Sequence, residues 1–137
     1  MPTRILVIED PAAPWDNFSL ILTQMCGMTN AQIDHARWYT EAKEMIEMEQ
    51  YDVILLDHRM PYDDPRCTDE TNFRKFSAQL RNIGYGLLPL IETRQKRTVV
   101  IGTASLNPDE MGPYTAPELR LDKTNMFDEL PPLLERI

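Results

Sequence analysis

The sequence predicts an α/β fold, a single doubly wound parallel sheet of five strands with helices on both faces. Two apolar runs and their spacing predict it. Val53 to Leu56 is unbroken and rich in branched side chains, the pattern of a strand buried on both faces. Ile5 to Ile8 is a second such run, and the intervening chain alternates helical spacing with a weaker strand. A β-α-β-α-β order implies right-handed crossovers and parallel strands. In such sheets ligands bind just beyond the carboxyl ends of the strands. The residues after each apolar run therefore carry the functional question.

The first strand, 4–8, runs into Glu9 and Asp10, and Pro11 and Pro14 mark a loop. Over 15–25, Trp15, Phe18, Ile21, Leu22 and Met25 recur at helical spacing, with Asp16 and Asn17 near the start and Gly27 as a stop. Trp15 reads as a core residue, close enough to the acidic crevice to report metal binding. A weaker strand over 31–36 centres on Ile33. Thr40 is the expected N-cap of a second helix carrying Ala42, Met45 and Ile46. The third strand, 51–56, ends at Asp57, and Pro61 turns the chain.

Residues 61–69 form a polar loop. Phe73, Phe76, Leu80 and Ile83 predict a helix over 71–82, which Gly84-Tyr85-Gly86 breaks. Further helical turns are expected over 87–94, with Pro89 near their start. Arg94, Lys96 and Arg97 read as a solvated helix end, ahead of a contact for an acidic partner. A fourth strand over 98–101 leads to Thr103 and Ala104. Pro108, Gly112, Pro113 and Pro117 leave the next segment poor in helix signal. A short fifth strand over 118–121 ends at Asp122-Lys123. Asp128 is the expected cap of a last helix, with Leu130, Leu133, Leu134 and Ile137 toward the sheet.

Composition narrows the function classes. The 137 residues fit one domain, 1–137, with a sizeable core and no room for an output domain. A net charge of -8 argues against a nucleic-acid or anionic-membrane partner. It suits a cation site or a basic partner surface, and also plain solubility. Cys26 and Cys67 lack metal or redox spacing, so free thiols in a reducing cytosol are expected. No apolar run approaches membrane-spanning length and no signal peptide precedes the first strand, so the expected location is cytoplasmic. His35 and His58 have no paired ligand spacing and read as structural. Met25, Met45 and Met48 read as core or solvent edge.

Past the strand ends stand Glu9 and Asp10, then Asp57, Thr103 and Lys123. Taken singly each has an ordinary reading: a capping pair, a turn acid, a loop hydroxyl, a surface lysine. Brought into one crevice, three carboxylates repel and need a cation or a proton. Carboxylate oxygens with room for waters suit Mg²⁺. With a hydroxyl and an ammonium, the set has the parts for phosphoryl transfer to an aspartate.

In these pieces the chain resembles the receiver domains of two-component response regulators, which have the flavodoxin-like (βα)₅ fold. The matching residues are Leu6-Val7-Ile8-Glu9-Asp10, Asp57-His58-Arg59-Met60-Pro61, Thr103-Ala104 and Lys123, in the family's order and over essentially the whole chain. The resemblance implies Asp57 as phosphoacceptor. It implies Mg²⁺ held by Asp10 directly, by Glu9 through water, by Asp57 and by the Arg59 backbone carbonyl. Thr103 would contact the phosphoryl group, Lys123 would pair with Asp57 or the phosphoryl oxygens, and the small Ala104 would keep the phosphoryl pocket open. A histidine kinase or phosphotransfer protein would be the donor and a separate downstream protein the target, the chain itself being a monomer or weak dimer.

The sequence departs from that pattern in four places. The stretch between Asp57 and Thr103 is longer than in an ordinary receiver, an insertion within 61–97. Pro108, Pro113 and Pro117 fall where the fourth helix belongs, altering a face the family uses for signalling. Arg120 stands three positions before Lys123, where the family often has an aromatic that swings inward on activation. Thr124 follows Lys123 where a proline usually stands.

Three functions compete. The first is a stand-alone receiver, a switch and not an enzyme in the turnover sense, although it assists its own phosphorylation and dephosphorylation. The second is an atypical receiver acting as a phosphorylation-independent interaction module. The third is a Mg²⁺-dependent phosphohydrolase of the haloacid-dehalogenase type. That chemistry wants a second aspartate two residues after the nucleophile, and Arg59 occupies the place.

Overall fold

A computed structural model of the chain describes residues 4–9, 32–63, 81–95, 97–103, 113–114, 117, 119–120, 128 and 132. Five strands form one sheet: β1 (Arg4–Ile8), β2 (Gln32–Ala36), β3 (Val53–Leu56), β6 (Val99–Gly102) and β7 (Leu119–Arg120). Their order is β2-β1-β3-β6-β7 and every pairing is parallel. Two more strands, β4 (Arg59–Met60) and β5 (Arg81–Asn82), make a small antiparallel ribbon. Helix α1 is Tyr39–Met48 and helix α2 is Leu88–Arg94, the latter entered through a 3₁₀ turn at Gly84–Leu87.

The sheet is covered on both faces, as the apolar runs require. Side chains alternate along a strand, so Ile5 and Val7 face opposite to Leu6 and Ile8, and all four are 0% exposed. On one face Leu6, Ile8, Ile54 and Leu56 pack with Ala42 and Ile46 of α1 and with Leu87 and Ile91. Burying side chains of this kind contributes roughly 1.5–3 kcal/mol each before conformational entropy is set against it.

The sheet order reverses at β1. Strand β2 lies on one side of it and β3 on the other, so the crossovers leave β1 in opposite directions. That reversal opens a crevice at the carboxyl ends of β1 and β3.

Several local expectations are corrected. Thr40 is not the N-cap of α1: the helix starts at Tyr39, its N-cap is the extended Trp38, and no side chain caps it. The first amides are instead satisfied from outside the helix. Tyr39 N–H donates to the Pro61 carbonyl at 3.0 Å and Thr40 N–H to the Tyr62 carbonyl at 2.9 Å. The Thr40 hydroxyl, freed from capping, donates to Asp63 at 2.7 Å. Residues 81–82, expected as a helix end, are strand β5, because they find a partner in 59–60. Gly84-Tyr85-Gly86 does not interrupt helical structure but forms the 3₁₀ turn that leads into α2, with Pro89 in the first turn of that helix.

The third strand proper begins at Val53, and the fourth and fifth are Val99–Gly102 and Leu119–Arg120. Asp128 and Pro132 are helical. The expected helix over 15–25, including Trp15, lies outside the described residues, as do both cysteines. Among the described residues no helix is long and apolar enough to cross a membrane.

Candidate functional site

Three of the sequence-predicted site residues come together in one row. The register aligns Ile8 with Leu56 and Leu56 with Gly102, so the next residues, Glu9, Asp57 and Thr103, continue the same row. Each is tied there by one further backbone bond. Glu9 N–H donates to the Ala36 carbonyl (3.0 Å), Asp57 N–H to Ile8 (3.1 Å) and Thr103 N–H to Leu56 (2.9 Å). Strand spacing puts neighbours in such a row about 5 Å apart between backbones. Their place in the pleat turns all three toward the sheet face opposite Leu6, Ile8 and Leu56.

The row is buried: Glu9 is 1%, Asp57 3% and Thr103 1% exposed. Removing carboxylates from water is costly unless charge or hydrogen bonds compensate. Part of the compensation for Asp57 is local, since its Oδ1 accepts the His58 N–H at 2.8 Å. The Thr103 hydroxyl has no hydrogen-bond partner among the described residues. It is therefore a donor with nothing in the described structure to spend it on.

The chain after Asp57 is held by residues 83–85. The His58 carbonyl accepts from Ile83 N–H (2.9 Å) and from Gly84 N–H (2.8 Å), and His58 Nδ1 accepts the Tyr85 N–H (2.9 Å). Nδ1 is then unprotonated, which leaves the ring proton on Nε2. Bonded and non-bonded pairs alternate in an antiparallel ribbon. With His58 bonded to Ile83, the Arg59–Asn82 pair is non-bonded, so the Arg59 carbonyl is not spent on the ribbon. Gly84 presses against this loop so closely that a Cβ would lie 1.9 Å from the Asp57 carbonyl oxygen and 2.8 Å from the His58 Cα.

The donor set fits a hard divalent cation: two buried carboxylates and a backbone carbonyl, all oxygen. Among the described residues no group of three His, Cys, Asp or Glu side chains forms a metal site. Asp10, the expected third carboxylate, lies outside those residues, and so do Ala104 and Lys123. The structure accordingly brings Glu9, Asp57 and Thr103 together and places Arg59 two residues along.

Sequence reading missed Gly84, Tyr85 and Gln95. The sequence marks Gly84 only as a helix breaker, yet it carries a signal, because only glycine permits such close backbone approach. Tyr85 sits in the same turn. Gln95 is 2% exposed at the opposite, amino edge of the sheet, where its Oε1 accepts the Tyr51 N–H (2.9 Å) and its Nε2 donates to the Ile46 carbonyl (2.9 Å). A single glutamine between basic residues gives no local hint of that. His35 and His58, read as structural, both engage in hydrogen bonds to backbone.

No family model matches the sequence, and no curated protein matches it. Solved structures do. A CheY-like response regulator receiver domain protein from Methanospirillum hungatei is similar at a TM-score of 0.70 and 16% identity, over 99% of this chain and 93% of that one. The response regulator TrrA of Thermotoga maritima, solved in complex with Mg²⁺-BeF, gives 0.63 and 21%, over 98% and 97%. The receiver domain of a Pseudomonas aeruginosa sensor histidine kinase, with a magnesium ion coordinated in its active-site cleft, gives 0.64 and 20%, over 99% and 97%. The sheet order, the parallel pairings and these similarities establish that the chain has the CheY-like, flavodoxin-like fold of response regulator receiver domains.

Proposed function

We propose that the chain is a receiver that accepts a phosphoryl group on Asp57 and uses the modified state to change its binding to another protein. The observation that carries this reading is the buried row of Glu9, Asp57 and Thr103 at the point where the strand order reverses. A buried carboxylate beside a second carboxylate and a hydroxyl that has no partner among the described residues suits a phosphoryl acceptor.

In the reaction, a carboxylate oxygen of Asp57 attacks phosphorus in the donor. A new O–P bond forms as the donor's P–N bond (phosphohistidine) or P–O bond (acetyl phosphate) breaks, and the leaving group departs with the bonding pair. The Thr103 hydroxyl donates to a phosphoryl oxygen. Oδ1 stays aligned by the His58 N–H. Glu9, Asp57, the Arg59 carbonyl and Asp10 are the groups that would hold Mg²⁺, which when bound offsets charge on the phosphoryl oxygens. Lys123 is assigned the second cationic contact and Ala104 the open side of the pocket.

The similar receivers solved with magnesium support the metal assignment by analogy. The donor would be a histidine kinase or a phosphotransfer protein, and the setting the cytosol. The protein would act as a switch and not as a turnover enzyme.

The test is incubation with acetyl phosphate and Mg²⁺ followed by intact mass measurement. The expected result is a gain of one phosphoryl group that disappears in Asp57→Asn and in metal-free samples. No gain in folded protein, with acetyl phosphate or with a phosphorylated histidine donor, contradicts the reading.

One observation favours a second reading, a phosphorylation-independent interaction module: Arg120 is exposed on the terminal strand β7 where the resemblance expects an inward-swinging aromatic. Equal partner binding by wild type and Asp57→Asn under phosphorylating conditions selects it.

A further inference from the structure

Tyr85 touches both arms of the candidate site from the opposite face of the sheet. Its N–H donates to His58 Nδ1 at 2.9 Å, and its ring stacks on the His58 imidazole with centroids 4.4 Å apart and planes at 20°. Its hydroxyl lies against Gly102, where an added Cβ would come within 3.1 Å of it. His58 directly follows Asp57, and Gly102 directly precedes Thr103. Tyr85 is 2% exposed, so it cannot move without its neighbours moving.

The contacts continue to Tyr114. The His58 ring meets the Tyr114 ring edge-on at 5.3 Å and 74°. A Cβ on Gly86, the residue after Tyr85, would lie 2.9 Å from Tyr114 Cε1. Tyr85, Gly86 and Tyr114 also line a cavity of about 750 Å³ between α2, β6 and β7. An aromatic column therefore links the backbone on either side of the site to a region on the other side of the sheet.

Resting on the receiver reading, we propose that Tyr85 is the positioning residue that, through its stack on the His58 ring, transmits occupancy of the Asp57 site to Tyr114. Two displacements reach it. Converting the Asp57 carboxylate to an acyl phosphate lowers the negative charge on the oxygen that accepts the His58 N–H at 2.8 Å, which weakens that bond and lets His58 shift against the Tyr85 ring. Drawing Thr103 toward a phosphoryl oxygen carries Gly102 with it, away from the Tyr85 hydroxyl. A packed ring held between two such contacts shifts between discrete positions and does not deform gradually.

The experiment uses the full chain with Mg²⁺ and acetyl phosphate, and reads phosphoryl gain by intact mass and the Tyr114 ring resonances by NMR. Those resonances sense the neighbouring His58 ring current. In wild type, the gain is accompanied by displaced Tyr114 resonances and altered exchange of the Tyr85 amide. In Tyr85→Phe, which keeps the ring and the amide bond and loses only the hydroxyl at Gly102, the gain is retained and the Tyr114 displacement falls about twofold or more. A residue that only filled space would leave that displacement unchanged. Phosphoryl gain with unmoved Tyr114 resonances, or an undiminished displacement in Tyr85→Phe, overturns the relay and leaves the receiver reading standing. Absence of phosphoryl gain in folded wild type overturns both.

Discussion

The two edges of the parallel sheet are both polar, for opposite reasons. At the amino edge several polar groups pair with each other. Arg4 N–H donates to Asp52 (2.8 Å), the Arg4 guanidinium bridges Glu49 (2.9 Å), and the Tyr51 hydroxyl donates to Asp34 (2.8 Å). Gln95 closes the network by joining Tyr51, just ahead of β3, to the end of α1. At the carboxyl edge two carboxylates, Glu9 and Asp57, are buried in one row with Thr103, whose hydroxyl has no hydrogen-bond partner among the described residues. The first arrangement ties neighbouring elements together. The second gathers two acids and a hydroxyl at the crevice, the residue types that the proposed phosphoryl acceptance needs.

That contrast is testable, first at the carboxyl edge. Gly84→Ala places a Cβ against the Asp57 carbonyl and the His58 Cα, both backbone, so neither can swing aside. The expected cost is about 3 kcal/mol or more in urea unfolding, together with loss of phosphoryl acceptance. A stable Gly84→Ala variant that still accepts phosphoryl would show that the ribbon does not fix the site loop.

At the amino edge, Gln95→Ala strands the buried Tyr51 N–H and the Ile46 carbonyl. The expected loss is about 2–3 kcal/mol, with phosphoryl acceptance unchanged at temperatures where the variant is folded. Loss of acceptance in folded Gln95→Ala would erase the distinction between the edges.

Tyr51→Phe probes the same edge more gently. Burial, and then the bond to Asp34, raise the Tyr51 pKa above its usual 10. The folded state therefore binds this proton more tightly than the unfolded chain does. Its contribution is fully present below pH 10 and is lost as pH rises through the folded value. Removing the hydroxyl should cost about 1 kcal/mol at neutral pH and flatten the fall in stability above about pH 10, read from unfolding midpoints from about pH 9 upward. A wild-type alkaline profile in Tyr51→Phe would assign that fall to another group.

How much of this was legible in the sequence depends on how local the cause was. The strands β1 and β3 and the acids at their ends were legible, because a run such as Val53–Leu56 carries its own burial and its own stop. Parallel order followed from the alternation, and the row of Glu9, Asp57 and Thr103 followed from the order. Thr40 misled because the groups that satisfy the start of α1, the Pro61 and Tyr62 carbonyls, come from a distant loop. Arg81 and Asn82 misled for the same reason: their strand partner is Arg59–Met60. Gln95 and Tyr85 act through contacts with segments far along the chain, and no periodicity announces those.

The central claim is that Asp57 is the acceptor, and its most direct test is to find the modified atom. After exposure to acetyl phosphate and Mg²⁺, borohydride reduction cleaves an aspartyl phosphate and leaves homoserine at that position. Peptide sequencing by mass spectrometry then locates it. The account predicts homoserine at position 57 and nowhere else. Homoserine at another acid, or none in folded protein that has gained a phosphoryl group, would contradict it.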